Sequence, residues 1–107
     1  MGVGIIFDYL GEIILVKING NSVTFGKDGV ESDITGLKLS KNGVIKRFPD
    51  LEDKDNWKEE AIKRFKAHIK SLENELVIGD YIKNELTKYG YVAKYLKIDG
   101  RRISKLE

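Results

Sequence analysis

Cysteine is absent from the 107 residues, and proline, histidine and tryptophan occur once each. Without cysteine there is no disulfide framework, no zinc-ribbon spacing and no thiol nucleophile. The single histidine, His68, lies at the edge of a helical apolar stripe, three residues from Phe65 and four from Leu72. It has no partner at catalytic or metal-ligand spacing and reads as a packed helix residue. No apolar run approaches the roughly 20 residues of a membrane span. The first 15 residues lack a basic leader, and Asp8, Gly11 and Glu12 interrupt their apolar positions, unlike a signal peptide. The expectation is a soluble, cytoplasmic chain with no membrane partner, folded as one domain over 1–107. The length allows a core without metals or disulfides.

Charge is plentiful but unevenly placed. Residues 1–35 carry two Lys against five acids, a net of −3, while residues 36–72 carry ten cations against six acids, +4. From Lys88 to Lys105 there are six cations and only Asp99. The overall charge of +2 is too small to argue for nucleic acid, whereas this polarity gives the chain an acidic beginning and a basic end. The Lys- and Glu-rich composition suits a thermophile's surface.

Turn chemistry punctuates the first half. Gly11, Asn19-Gly20, Asp28-Gly29 and Asn42-Gly43 separate short runs rich in Ile, Val and Phe. Asn-Gly and Asp-Gly tolerate the positive φ of two-residue hairpin turns. The spacing predicts an antiparallel β-meander of about four to six short strands over 1–48, including a hairpin of 36–40 with 44–48 across Asn42-Gly43. Residues 12–18 are apolar on both faces, which predicts a strand covered on both sides. Pro49 ends this region, and 49–55 is an acidic linker.

The second half changes period. Trp57, Ala61, Phe65, Ile69 and Leu72 recur at helical spacing, and Asn56 with Glu59 has the form of a capping box. A long amphipathic helix is predicted over about 56–72. A shorter one follows from near Gly79-Asp80, with Ile78, Ile82, Leu86 and Tyr89 as its buried face and Gly90 as its stop. Residues 91–106 read as a hairpin turning at Asp99-Gly100. The fold class is therefore α+β: a meander, a long helix, a short helix and a C-terminal β-hairpin.

No catalytic constellation is readable, and no cofactor is implied. Asp8 and Glu12 flank the first turn and are the one carboxylate pair that a hairpin could bring together for a metal. Pro49-Asp50, Glu52 and Lys54 superficially match a nuclease pattern, but the acids are too close together in a linker. The terminal hairpin offers more. Simple alternation from Tyr91 puts Tyr91, Ala93, Tyr95 and Lys97 on one face and Val92, Lys94, Leu96 and Ile98 on the other. Tyrosines beside cations form a platform for unpaired bases and phosphates. The expected function is a non-catalytic binding domain contacting DNA or RNA through Tyr91, Lys94, Tyr95, Lys97, Arg101, Arg102 and Lys105. The alternative is a protein-interaction or homo-oligomerising module, pairing with itself as a dimer or with another protein, with no nucleic-acid affinity. In that case the cations guard an edge strand. Leu106 and Glu107 receive no functional weight.

Overall fold

The computed structural model describes residues 2–27, 30–99 and 101–105, with side chains up to Arg101. Six strands form one antiparallel, open sheet: β1 (Val3–Tyr9), β2 (Glu12–Asn19), β3 (Ser22–Lys27), β4 (Val30–Asp33), β5 (Val92–Ile98) and β6 (Arg101–Lys105). Their order across the sheet is β4-β3-β2-β1-β5-β6. The first four strands are the predicted meander. Gly11 (φ +85°) and Gly20 (φ +60°) supply the backbone that its first two turns need. The terminal hairpin is also present, and it closes on the far side of β1, so the earliest strand is flanked by β2 and β5. The Asp28-Gly29 turn and Gly100 lie outside the described residues.

Three helices, α1 (Lys41–Arg47), α2 (Trp57–Lys70) and α3 (Glu75–Thr87), join the strands between β4 and β5. Val3, Ile5 and Phe7 of β1 and Ile14, Val16 and Ile18 of β2 point toward the helices. They meet Ala61, Ile62, Phe65 and Ile69 of α2 and Ile78, Ile82 and Leu86 of α3 in one core. Alternation on the strands and 3.6-residue spacing on the helices supply this inward set.

The helical region departs from expectation in four places. The predicted hairpin of 36–40 with 44–48 is absent. Residues Ile34–Gly36 form one 3₁₀ turn, and α1 runs through Asn42 and Gly43. Ser40 caps α1 by accepting from the Gly43 amide at 3.1 Å. A Cβ on Gly43 would come within 3.0 Å of the Tyr89 ring, so this glycine serves helix packing rather than a turn. Pro49 opens a second 3₁₀ turn, Pro49–Leu51, where a ring-fixed φ is favourable. The Asn56 side chain makes no capping bond, because its backbone (φ −93°, ψ 31°) is not in the extended form a cap requires. The third helix starts at Glu75, four residues before Gly79, capped by the Asn74 side chain on the Leu76 and Val77 amides. Gly79 is interior, facing Ile18, Val3 and Ile5.

Candidate interaction surface

The helices cover only one face of the sheet. Paired residues on neighbouring strands share a face, so the register identifies what lies on the other. Ile6 of β1 pairs with Leu15 of β2 and with Tyr95 of β5. Beyond Leu15 comes Gly26 of β3, and beyond that Glu31 of β4. These residues make one row straight across the open face. A second row, toward Gly2 and Asn19, holds Thr24, Lys17, Gly4 and Lys97. A third, toward the β1–β2 turn, holds Ile13, Asp8 and Val92.

This face is apolar at its centre. Ile6, Leu15 and Tyr95 are half-buried, while Ile13 (57% exposed) and Val92 (46%) stand in solvent. Cations and the acids Glu31 and Asp8 lie round this centre. Lys17 reaches across β3 to form an ion pair with Glu31, each side chain 55% exposed. Where Gly4 lacks a side chain, Leu15 leans over it, and a Cβ there would meet Leu15 Cδ1 at 3.3 Å. The result is a shallow depression of about 150 Å³ between Gly4, Leu15, Lys17, Asn19 and Lys97.

The terminal hairpin contributes differently from expectation. Its register against β1 shifts between Ile6 and Phe7, where Lys94 is the extra residue of a β-bulge. The bulge reverses the alternation on one side of it. Tyr95 and Lys97 do lie on the open face, but Tyr91 and Ala93 face the helices with Leu96. Tyr91 is 1% exposed. It stacks on Tyr9 (4.2 Å, 18°), meets Phe7 edge-on, and its hydroxyl donates to the Lys38 carbonyl oxygen at 2.8 Å. Burial pushes its phenol up to about 12. Tyr91 therefore cannot stack on a base. Lys94 is half-buried at the bulge, and Arg101 is exposed at the start of β6. Backbone register sets Arg102 opposite Lys97 and Lys105 opposite Tyr95. Their side chains lie outside the described residues.

Ile6, Ile13, Leu15, Lys17 and Val92 were not singled out by the sequence reading. For Ile13 and Leu15 the signal lies in β2, whose two apolar faces predict burial on both sides. One of those faces is open.

The other chemical candidates resolve into structural roles. Asp8 and Glu12 point to opposite faces, since Asp8 pairs with Ile13 and Glu12 with Tyr9. Asp8 accepts from the Gly11 amide within the turn at 2.9 Å. Glu12 accepts from Lys27, whose hydrogen bond is the main cause of its lowered pKa. Asp50 is held by Arg64, likewise lowering its pKa. His68 lies against the Tyr81 ring at 4.1 Å. Buried Glu85 accepts from Arg47 Nε at 3.1 Å and from the Tyr89 hydroxyl at 3.0 Å, tying α1 to α3. A groove of about 490 Å³ runs along α2 past Ile62, Lys58, Lys63, Lys66 and Lys70. Among the described residues no group of three or more His, Cys, Asp or Glu could hold a metal. No described helix is long and apolar enough to cross a membrane. Comparison with known protein families, with curated protein sequences and with solved structures finds no match for this chain.

Proposed function

We propose that the chain is a non-catalytic binding domain that works by laying the open face of its sheet against another protein. The observation that supports this is the contiguous patch of Ile6, Leu15, Ile13, Val92 and Tyr95 on a sheet face that no described helix covers. Four of the five are aliphatic. Aliphatic surface gains about 25 cal/mol per Å² when it leaves water, but offers little to a stacked base. Contiguous apolar patches rimmed by charge mark interaction surfaces rather than ordinary monomer surface. The test is a photo-crosslinking residue at position 13 or 15, in cells that make the protein, with position 87 on α3 as control. Discrete crosslinked protein species from 13 and 15 but not 87 are expected. Crosslinking that is absent, or equal at all three positions, removes the reading.

A second reading is favoured by Tyr95 beside Lys97, with basic β6 next to them. Single-stranded DNA or RNA would stack on Tyr95, with Lys97 on a phosphate and Lys94, Arg102 and Lys105 adding charge, while Arg101 pairs with Ile98 on the helix side of the sheet. Fluorescence anisotropy with labelled single strands at about 50 and 200 mM salt tests it. Affinity that falls at least tenfold at the higher salt, and is lost with Tyr95→Ala, supports it. No binding at the lower salt eliminates it.

A further inference from the structure

Resting on the reading of the open face as a protein-contact surface, we infer that its partner is a second copy of the same chain. The two open faces pack about a two-fold axis parallel to the strands. The central row of this face complements itself about that axis. The sheet order β4-β3-β2-β1-β5-β6 has its midpoint between β2 and β1. A two-fold axis along the strands at that midpoint, lying between two facing sheets, exchanges left and right while keeping each row at its own height. β2 then lies over β1 of the second copy, β3 over β5, and β4 over β6.

Each of these juxtapositions is favourable in the central row. Leu15 meets Ile6 of the second copy, and the exchange is reciprocal, which puts aliphatic on aliphatic at the centre. Gly26 lies across from Tyr95 of the second copy. The bulkiest side chain of the row therefore faces the one position with no side chain. At the margins, β4 carries Glu31 and Asp33 and no cation, while β6 carries three cations and no acid, of which register sets Arg102 and Lys105 in the open-face rows and Arg101, opposite Ile98, on the helix side. By register, the Glu31 position faces that of Lys105 of the second copy in the central row; Asp33 is taken up within its own copy by the Ile34 amide and Lys66 of α2. The Lys17–Glu31 pair within each copy is exposed and weak, so the acid can exchange partners. Lys17 and Lys97 belong to the outer row, where long cationic side chains reach the polar rim.

The alternative axis, perpendicular to the strands, stacks β4 on β4 and β6 on β6, like charge on like. The charge pattern therefore selects one of the two symmetric arrangements. Aligned sheets sit about 10 Å apart and cross at about 30°, so the rows coincide over the central strands and drift apart by about one row at the margins, a gap that side chains as long as glutamate and lysine span. A face of this many strands spans on the order of 500 Å² per copy in plan, about 1,000 Å² for the pair, the small end of specific interfaces.

The experiment is sedimentation equilibrium of the full chain up to about 500 µM, where a micromolar dimer is fully formed. A reversible monomer–dimer equilibrium is expected, weakened at least tenfold by Leu15→Lys. Glu31→Lys and Lys105→Glu are each expected to weaken it, and combining them to restore it to within a few fold. Far-UV circular dichroism of each variant confirms that the sheet is retained. A chain that stays monomeric at the highest concentration overturns the inference. So does a dimer indifferent to Leu15→Lys, or one lost with Leu15→Lys but not rescued by the charge exchange. A monomer whose positions 13 and 15 still crosslink to other proteins overturns the inference and leaves the protein-contact reading standing. A monomer with no such crosslinks overturns both.

Discussion

The Tyr91 hydroxyl donates to the carbonyl oxygen of Lys38, 2.8 Å away across 53 positions of sequence. That bond ties the entry of the last hairpin to the loop before α1, and the Tyr91 ring fills the space between Phe7 and Tyr9. Tyr91→Phe strands a half-buried carbonyl and is expected to cost about 1 kcal/mol. Tyr91→Ala opens a cavity costing about 3–5 kcal/mol. Tyr95→Ala, on the open face, is expected to cost less than about 1 kcal/mol. Urea unfolding midpoints of the three variants measure this contrast.

Arg47 and Glu85 form a half-sheltered pair whose carboxylate is 2% exposed while the arginine is 39% exposed. Arg47→Ala leaves that carboxylate with only Tyr89 and a distant Lys88. A loss of about 2–3 kcal/mol is expected, below the largest values because the arginine side is wet. Adding Glu85→Gln is expected to recover part of it. A double-mutant cycle that shows strict additivity would contradict this coupling.

Burial holds Tyr81 and Tyr91 in their neutral form, pushing each phenol up to about 12, and Tyr89 is raised as well. In the unfolded chain tyrosine ionises near 10. The folded state therefore binds more protons in this range. Its stability contribution is complete below about pH 10 and is lost as pH climbs toward 12. Unfolding midpoints that decline steeply between those values are expected. A flat profile there would contradict the assignment.

Two helix glycines are expected to respond with opposite signs. A Cβ on Gly79 would sit 3.5 Å from Ile18 Cδ1 and 3.6 Å from Val3 Cγ1, ordinary contact distances. Gly79→Ala should stabilise the protein by about 0.5–1 kcal/mol through helix propensity. A Cβ on Gly43 would fall 2.8 Å from the Ser40 hydroxyl that caps α1, and 3.0 Å from Tyr89. Gly43→Ala should destabilise by about 1 kcal/mol net, the lost cap outweighing the propensity gain. Thermal unfolding of both variants checks the signs.

The strands and the long helix were legible because their signals are local. Alternation at Val3–Tyr9 and helical spacing from Trp57 to Ile69 need no tertiary context. The errors came where a local signal was overruled by packing. Asn42-Gly43 has hairpin chemistry, but Ser40 caps the helix there and Tyr89 needs the vacant Cβ space. Gly79 discouraged an earlier helix start that Asn74 was positioned to cap. The candidate surface was half legible. Tyr95 and Lys97 were placed on the open face. The bulge at Lys94 turns Tyr91 to the helix side, and an added residue in a strand leaves no mark in the periodicity. The apolar face of Ile13 and Leu15 could not be assigned until the helices were known to lie on the other side.

The arrangement of β1 between β2 and β5 also has a consequence for how the chain is made. As the polypeptide leaves the ribosome, the first four strands can pair in order, each with the one just before it. The outer edge of β1 has to wait for Val92–Ile98, nearly the whole length of the chain later. Until then its amides and carbonyls form an open template, available to a neighbouring nascent chain. Docking of the last hairpin is the slow, long-range step that ends this exposure.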